Sequence, residues 1–204
     1  MNKGQLRSHM LALLNRSDCT DALANTFLDQ AIARIERTLR VPSMEQQHIY
    51  TIDSASGVSQ LFIPSNLIEM VDIHADGRAL VRLPGHEMVE AQKTGAIGNP
   101  IHFTRVQGVL KIHPKPTSGL VYLNYYGEFT DLVNDSDTNS LTSIASDLII
   151  YTALGYASDY FLDERGPLFD QKAGAFIAEI QGQADSAETS GTSQFMRPTH
   201  RFED

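Results

Sequence analysis

The sequence predicts an α+β fold, and three observations lead there. Apolar residues recur at helical spacing towards both ends of the chain. Through the middle they recur at a spacing of two, and clusters of turn formers separate the short runs there. The expected organisation is N-terminal bundle helices over residues 1–42, a β-rich insertion over 43–130, C-terminal bundle helices over 131–188 and an extended C-terminal arm over 189–204.

A short helix is expected over residues 5–16, with Leu6, Met10, Leu13 and Leu14 on one side. A second follows with Thr20 as N-cap and Asp21 in the first turn, where the helix dipole favours a carboxylate. Leu23, Phe27, Ala31, Ile35 and Leu39 recur every four residues and form an amphipathic stripe, and Pro42 stops the helix. Arg34, Arg37 and Arg40 cluster near its C-terminal end. There they complement the dipole or serve as channel or intersubunit charges.

The middle segment offers the strand candidates QHIYTI, SQLFI, MVDIHA, ALVRL, IHFTRV, VLKIH and LVYLNYY. PGHEMVEAQKTG reads as a short helix crossing between strands. A hairpin turning at Gln107–Gly108 pairs Val106 with Val109 and Phe103 with Ile112 on an apolar face. His102 then lies opposite His113 on the other face, expected to look to solvent or to a neighbouring subunit, with Thr104 and Lys111 between.

Beyond Tyr126 the polar stretch GEFTDLVNDSDTNS leads into two more helices. The first, over 143–162, is apolar and rich in small residues (Ala153, Gly155, Ala157, Ser158), which permit close approach within or between subunits. The second follows Gly166–Pro167, with proline in the permissive first turn, and carries Phe169, Ala173, Phe176, Ile180, Ala184 and Ala187 as its stripe.

Composition narrows the function. With 42% hydrophobic residues the chain can bury a sizeable core. The single cysteine, Cys19, excludes an internal disulfide framework and a multi-cysteine zinc site. No apolar run approaches the ~20 residues of a membrane span, and none makes a secretory leader, so a soluble protein made inside the cell is expected. The net charge of −9 is local. Residues 1–130 hold 12 acidic and 12 basic side chains, residues 131–188 hold 11 against two, and the tail balances two against two. Nucleic-acid affinity comes mainly from lysines and arginines displacing counterions, so this balance opposes tight DNA binding. A packaging factor that binds nucleic acid is the alternative reading, with the arginines of the second helix as its support.

Catalytic and metal motifs fail on inspection. NDSDTNS matches the first calcium-ligand positions of an EF-hand at Asp135, Asp137 and Asn139, but Ser140 stands where the glycine is needed and Ser146 where the glutamate is needed. The His102–His113 pair lacks further ligands beside it. Cys19 has no histidine base nearby and reads as a partly buried thiol. GAIG leads into a strand, not a helix N-terminus. No catalytic constellation and no cofactor are expected, so the protein reads as a non-enzyme.

The order of segments LLNRSDCTDALANTFLDQAIARIERTLRVPSME, LFIPSNLIEMVDIHADGRAL, GNPIHFTRVQGVLKIHPKP, VYLNYYGEFTDLVNDSDTNSLTSIASDLIIYTALGYASDYFLDE and QFMRP resembles the head–tail adaptor proteins of short-tailed bacteriophages. The resemblance implies a virion component present as a dodecameric ring below the portal protein. Such a ring continues the channel for double-stranded DNA, which passes without tight binding, and carries the tail nozzle. It also implies assembly in the host cytoplasm, bundle helices that build the ring with neighbouring subunits, and a C-terminal arm that extends onto the portal or a neighbouring subunit. Gln194, Phe195, Met196, Arg197 and Pro198 match that arm, and Phe202 adds a further apolar anchor. Such a segment, polar with a few apolar anchors and an arginine, is suited to ordering on a partner.

Overall fold

The computed structural model describes residues 1–52 and 60–189, which form two compact units. About half of the described chain is helical and about a quarter is in strands, the α+β composition expected.

Among the described residues, the helical unit comprises Met1–Val41, Asn134–Thr138 and 142–189. Its first helix, α1 (Lys3–Leu14), begins two residues earlier than the apolar spacing predicts. The reason is a capping box: Gln5 N–H donates to Asn2 Oδ1 at 2.8 Å, and Asn2 N–H donates to Gln5 Oε1 at 3.0 Å. Helix α2 (Asp21–Thr38) is capped by Thr20, whose hydroxyl accepts from Leu23 N–H at 3.3 Å. It buries Phe27, Ala31 and Ile35 of the expected stripe together with Ala24 and Leu28, whereas Leu23 is half-buried and Leu39 follows the helix as its C-cap.

The single helix expected over 143–162 is two. Ala145, at φ −138° and ψ 48°, breaks it into α4 (Ser140–Ile144) and α5 (Ser146–Phe161). Helix α5 packs against α1, α2 and α6 (Gly166–Thr189) and is buried on nearly every side. Its small residues are used inside the subunit. Ala153, Ala157 and Ser158 are buried, and a Cβ added at Gly155 would lie 3.2 Å from Asp170 Oδ1. Along α6, Phe169, Ala173 and Ala184 are buried as expected, whereas Ala187 is exposed.

The β unit comprises Pro42–Val133 with Asn139–Leu141. After a 3₁₀ turn at Pro42–Met44 it runs β1 (Glu45–Ile52), β2 (Gln60–Phe62), β3 (Leu67–Ala75), β4 (Arg78–Ala79), β5 (Val81–Arg82), α3 (Gly85–Lys93), β6 (His102–Val106), β7 (Val109–His113) and β8 (Gly119–Gly127). One sheet has the order β1-β8-β3-β4, all antiparallel. The other has the order β2-β7-β6-β5, with β5 parallel to β6. The ALVRL run, expected as one strand, is divided because the chain crosses from one sheet to the other at buried Leu80. Inner faces of both sheets meet in one apolar cluster that includes Ile52, Ile73, Phe103, Leu110, Ile112, Val121 and Leu123.

The β6–β7 hairpin has the predicted register, including Phe103 opposite Ile112 and His102 opposite His113. Gln107 and Gly108 both adopt positive φ (47° and 79°), the two-residue turn whose twist suits a hairpin. The solvent-facing expectation for the histidine side needs correction. Helix α3 packs on β6 and β7, Thr104 is buried on that side, and His102 Nδ1 is buried without a hydrogen-bond partner.

Candidate assembly surfaces

The three arginines singled out in the sequence do not converge on a shared anion site. Arg34 reaches from α2 to α6, with Nη1 3.1 Å from Asp170 Oδ1. Arg37 Nε donates to the Ala33 carbonyl at 3.1 Å, one turn back along its own helix. Arg40 lies past the helix end, and its Nη1 donates to the carbonyls of Glu36 at 2.9 Å and Leu39 at 2.6 Å. Its backbone N–H donates to Gln181 Oε1 of α6 at 3.0 Å. Arg40 thus serves a carbonyl of the last turn of α2, where the helix dipole favours a cation.

The loop that superficially resembles a calcium site instead clasps α1. Lys3 N–H donates to the Asp137 carbonyl at 3.1 Å and Gly4 N–H to the Asp135 carbonyl at 2.9 Å. A Cβ at Gly4 would lie 3.2 Å from Asp135 Cβ, so glycine admits this close approach. Arg7 then forks onto the Asp135 carboxylate at 2.7 and 2.6 Å, and holds it below the usual carboxylate range through these hydrogen bonds. Asp137 accepts from Asn134 N–H at 2.7 Å and closes the turn. Among the described residues, no group of three or more His, Cys, Asp or Glu is placed to hold a metal ion.

A second clasp joins the far side of the bundle. Asp163, directly after the left-handed Leu162 that ends α5, orients Arg165 through contacts of 2.6 to 3.1 Å. Arg165 in turn donates to the carbonyls of Leu13 at 3.3 Å and Leu14 at 2.9 Å, capping the C-terminus of α1. Hydrogen bonds from the Arg165 side chain and backbone hold the Asp163 carboxyl down at about 2. Cys19 is buried and its thiol is pushed up by that burial, as befits an inert side chain.

The β unit carries two features that charge totals concealed. On the outer face of the first sheet, Gln47 donates to Asn124 at 2.9 Å and Asn124 to Asp72 at 2.8 Å. Asp72 in turn lies 3.2 Å from His74, whose ring stacks on Tyr122 at 5.2 Å. A groove of about 400 Å³, lined by Glu45, Gln47, Val71, Asp72 and Asn124 among others, runs beside this polar chain. The second feature is a basic island. Residues 78–115 hold six Lys or Arg against two carboxylates, Glu87 and Glu90. Counting charge over 1–130 averaged this island away, and a count over each strand group would have found it.

The arm residues Gln194, Phe195, Met196, Arg197, Pro198 and Phe202 lie outside the described residues. Among the described residues no helix is long and apolar enough to cross a membrane. The family model described as SU10 adaptor protein matches residues 1–201, nearly the whole chain. No curated protein matches it.

Proposed function

Because the chain belongs to the SU10 adaptor protein family, we propose that it forms a ring, with twelve copies as the expected number, below the portal of a bacteriophage particle. Family membership supports a structural role as a phage adaptor that associates with other virion components. In the proposed arrangement the ring extends the DNA channel from the portal and offers a platform to the tail nozzle. DNA passes without tight binding, in keeping with a formal net charge of −9. Copies are made in the host cytoplasm and recruited there as heads are completed.

The observation that carries this reading is the match of one family model across both units and into the tail. Helix α5 packs its small residues inside the subunit, so in this reading the ring contacts use other surfaces and the arm. On the portal, Phe195, Met196 and Phe202 would bury apolar surface worth ~25 cal/mol per Å², and Arg197 would pair with a partner carboxylate.

Deletion of residues 190–204 tests the docking arm. The truncated protein should keep its melting temperature and lose stable attachment to the cognate portal in co-sedimentation. Phe195→Ala with Arg197→Ala should reproduce most of the loss, and Thr192→Ala should not. Wild-type attachment by the truncated protein would remove the arm from this role.

A further inference from the structure

On the second sheet, Lys111 and His113 alternate along β7, so they share a face, and Gln60 of β2 stands opposite Lys111 in the register. Lys115 follows two residues later. Its backbone is tied to the loop after α3, with Lys115 N–H donating to the Ala96 carbonyl at 3.0 Å and Gly98 N–H to the Lys115 carbonyl at 3.0 Å. Between this loop and the strands lies a pocket of about 200 Å³, lined by Gln60, Gln92, Gly95, Ala96, Lys111, Ile112, His113 and Lys115. Its described lining includes two lysines, a histidine and two glutamines, and no acidic residue is among the described lining residues. Of the acidic side chains of the basic island, Glu90 pairs with Lys93 at 2.6 Å and Glu87 lies 3.8 Å from His86. Lys111 and Lys115 have no carboxylate partner among the described residues. Two uncompensated cations at a concave site with amide donors are suited to an oxyanion.

We propose that this pocket binds carboxylates presented by a second copy of this chain. The helical unit carries candidate carboxylates for it: Asp147, Asp159, Glu164 and Glu179 are exposed, and none has a basic partner among the described residues. The excess acid of residues 131–188 and the excess base of 78–115 thus belong to two different surfaces of one molecule. A contact of that kind is heterologous, one patch meeting a different patch on the next copy, and repeats around a ring when the rotation closes. The proposal deepens the ring reading and rests on it for the side-by-side placement of copies. Duplex DNA is the poorer occupant. A phosphate backbone needs a track of cations, whereas here two lysines line one pocket on a protein of net charge −9.

Sedimentation of the full chain at submillimolar concentration, over a salt series, tests this without the portal. Wild type should show weak self-association that falls as salt rises. Lys111→Glu with Lys115→Glu should weaken it about tenfold or more, and Lys111→Gln with Lys115→Gln less so. Mixing the lysine-reversed protein with an Asp159→Lys, Glu179→Lys protein should restore association, with circular dichroism confirming that each variant is folded. No self-association by wild type, or equal association by the reversed protein, overturns the proposal. So does low-salt binding of duplex DNA that depends on the two lysines while self-association does not. If lysine-dependent self-association is present and wild type fails to attach to the portal, the adaptor ring reading falls while the pocket assignment stands.

Discussion

The two units treat their cations in opposite ways. In the helical unit every described Lys and Arg is occupied. Lys3 meets Asp29, Arg7 meets Asp135, Arg16 meets Asp18, Arg34 meets Asp170 and Arg165 meets Asp163, all within 3.4 Å. Arg37 and Arg40 serve helix carbonyls, and Lys172 lies 3.4 Å from the Tyr151 hydroxyl and 4.7 Å over its ring. In the β unit only Lys93 has a carboxylate, and Arg78, Arg82, Arg105, Lys111 and Lys115 have none among the described residues. The difference teaches where charge is structural. Helix ends and crossings need cations at fixed places, so the bundle consumes them. A sandwich of two sheets closes on apolar faces and hydrogen-bonded ladders, so it does not draw on its cations to hold together.

The largest effects should come from the cores, and they test whether the units are separate cooperative blocks. Leu154, fully buried in α5, and Phe103, buried in β6, should each cost about 3 kcal/mol when changed to alanine, measured by urea unfolding. Leu154→Ala should accelerate amide exchange in α1, α2 and α6 well before β7 and β8 respond. Equal acceleration in all five would erase the division. Next in size is Arg165→Ala, which uncaps the Leu13 and Leu14 carbonyls and should lower the melting temperature by several degrees. A smaller effect concerns pH. The Asp163 carboxyl sits at about 2, below its ordinary value of 3.8, so the stability it contributes is complete above about pH 4. That contribution is lost as pH falls through about 2. Asp163→Asn should flatten the acid limb of stability within that window and leave neutral pH behaviour above it unsloped. Smallest of all, Lys111→Ala and Lys115→Ala should change stability by no more than ~0.5 kcal/mol, in contrast to Arg165→Ala. A large loss at either lysine would mean that the β unit, too, uses its cations for folding.

Local signals made much of this readable in advance. Thr20, the four-residue apolar spacing and Pro42 bracketed α2, and two positive-φ residues set the β6–β7 register to the residue. What stayed hidden depended on contacts between distant segments. The break at Ala145 carries no proline or glycine, and a helix buried on nearly every side offers no clear stripe whose phase could reveal it. Partial burial of His102 follows from where α3 crosses, which periodicity within β6 does not report. The Arg7–Asp135 clasp spans 128 residues, and nothing local to Asp135 distinguishes it from a solvated turn. The basic pocket was equally silent. Its lysines come from one strand and its end, its amides from two other elements, and only the register joins them.

The clasping of α5 by helices from both ends also sets a timetable for synthesis. The strands of the β unit emerge from the ribosome almost consecutively, within Pro42–Val133. The apolar stripes of α1 and α2 leave first but find their partner last, because α5 begins only at Ser146. Through that interval Leu6, Met10, Phe27 and Ile35 have no final cover, so the nascent N-terminal helices are the stretch most open to wrong partners and to chaperone capture.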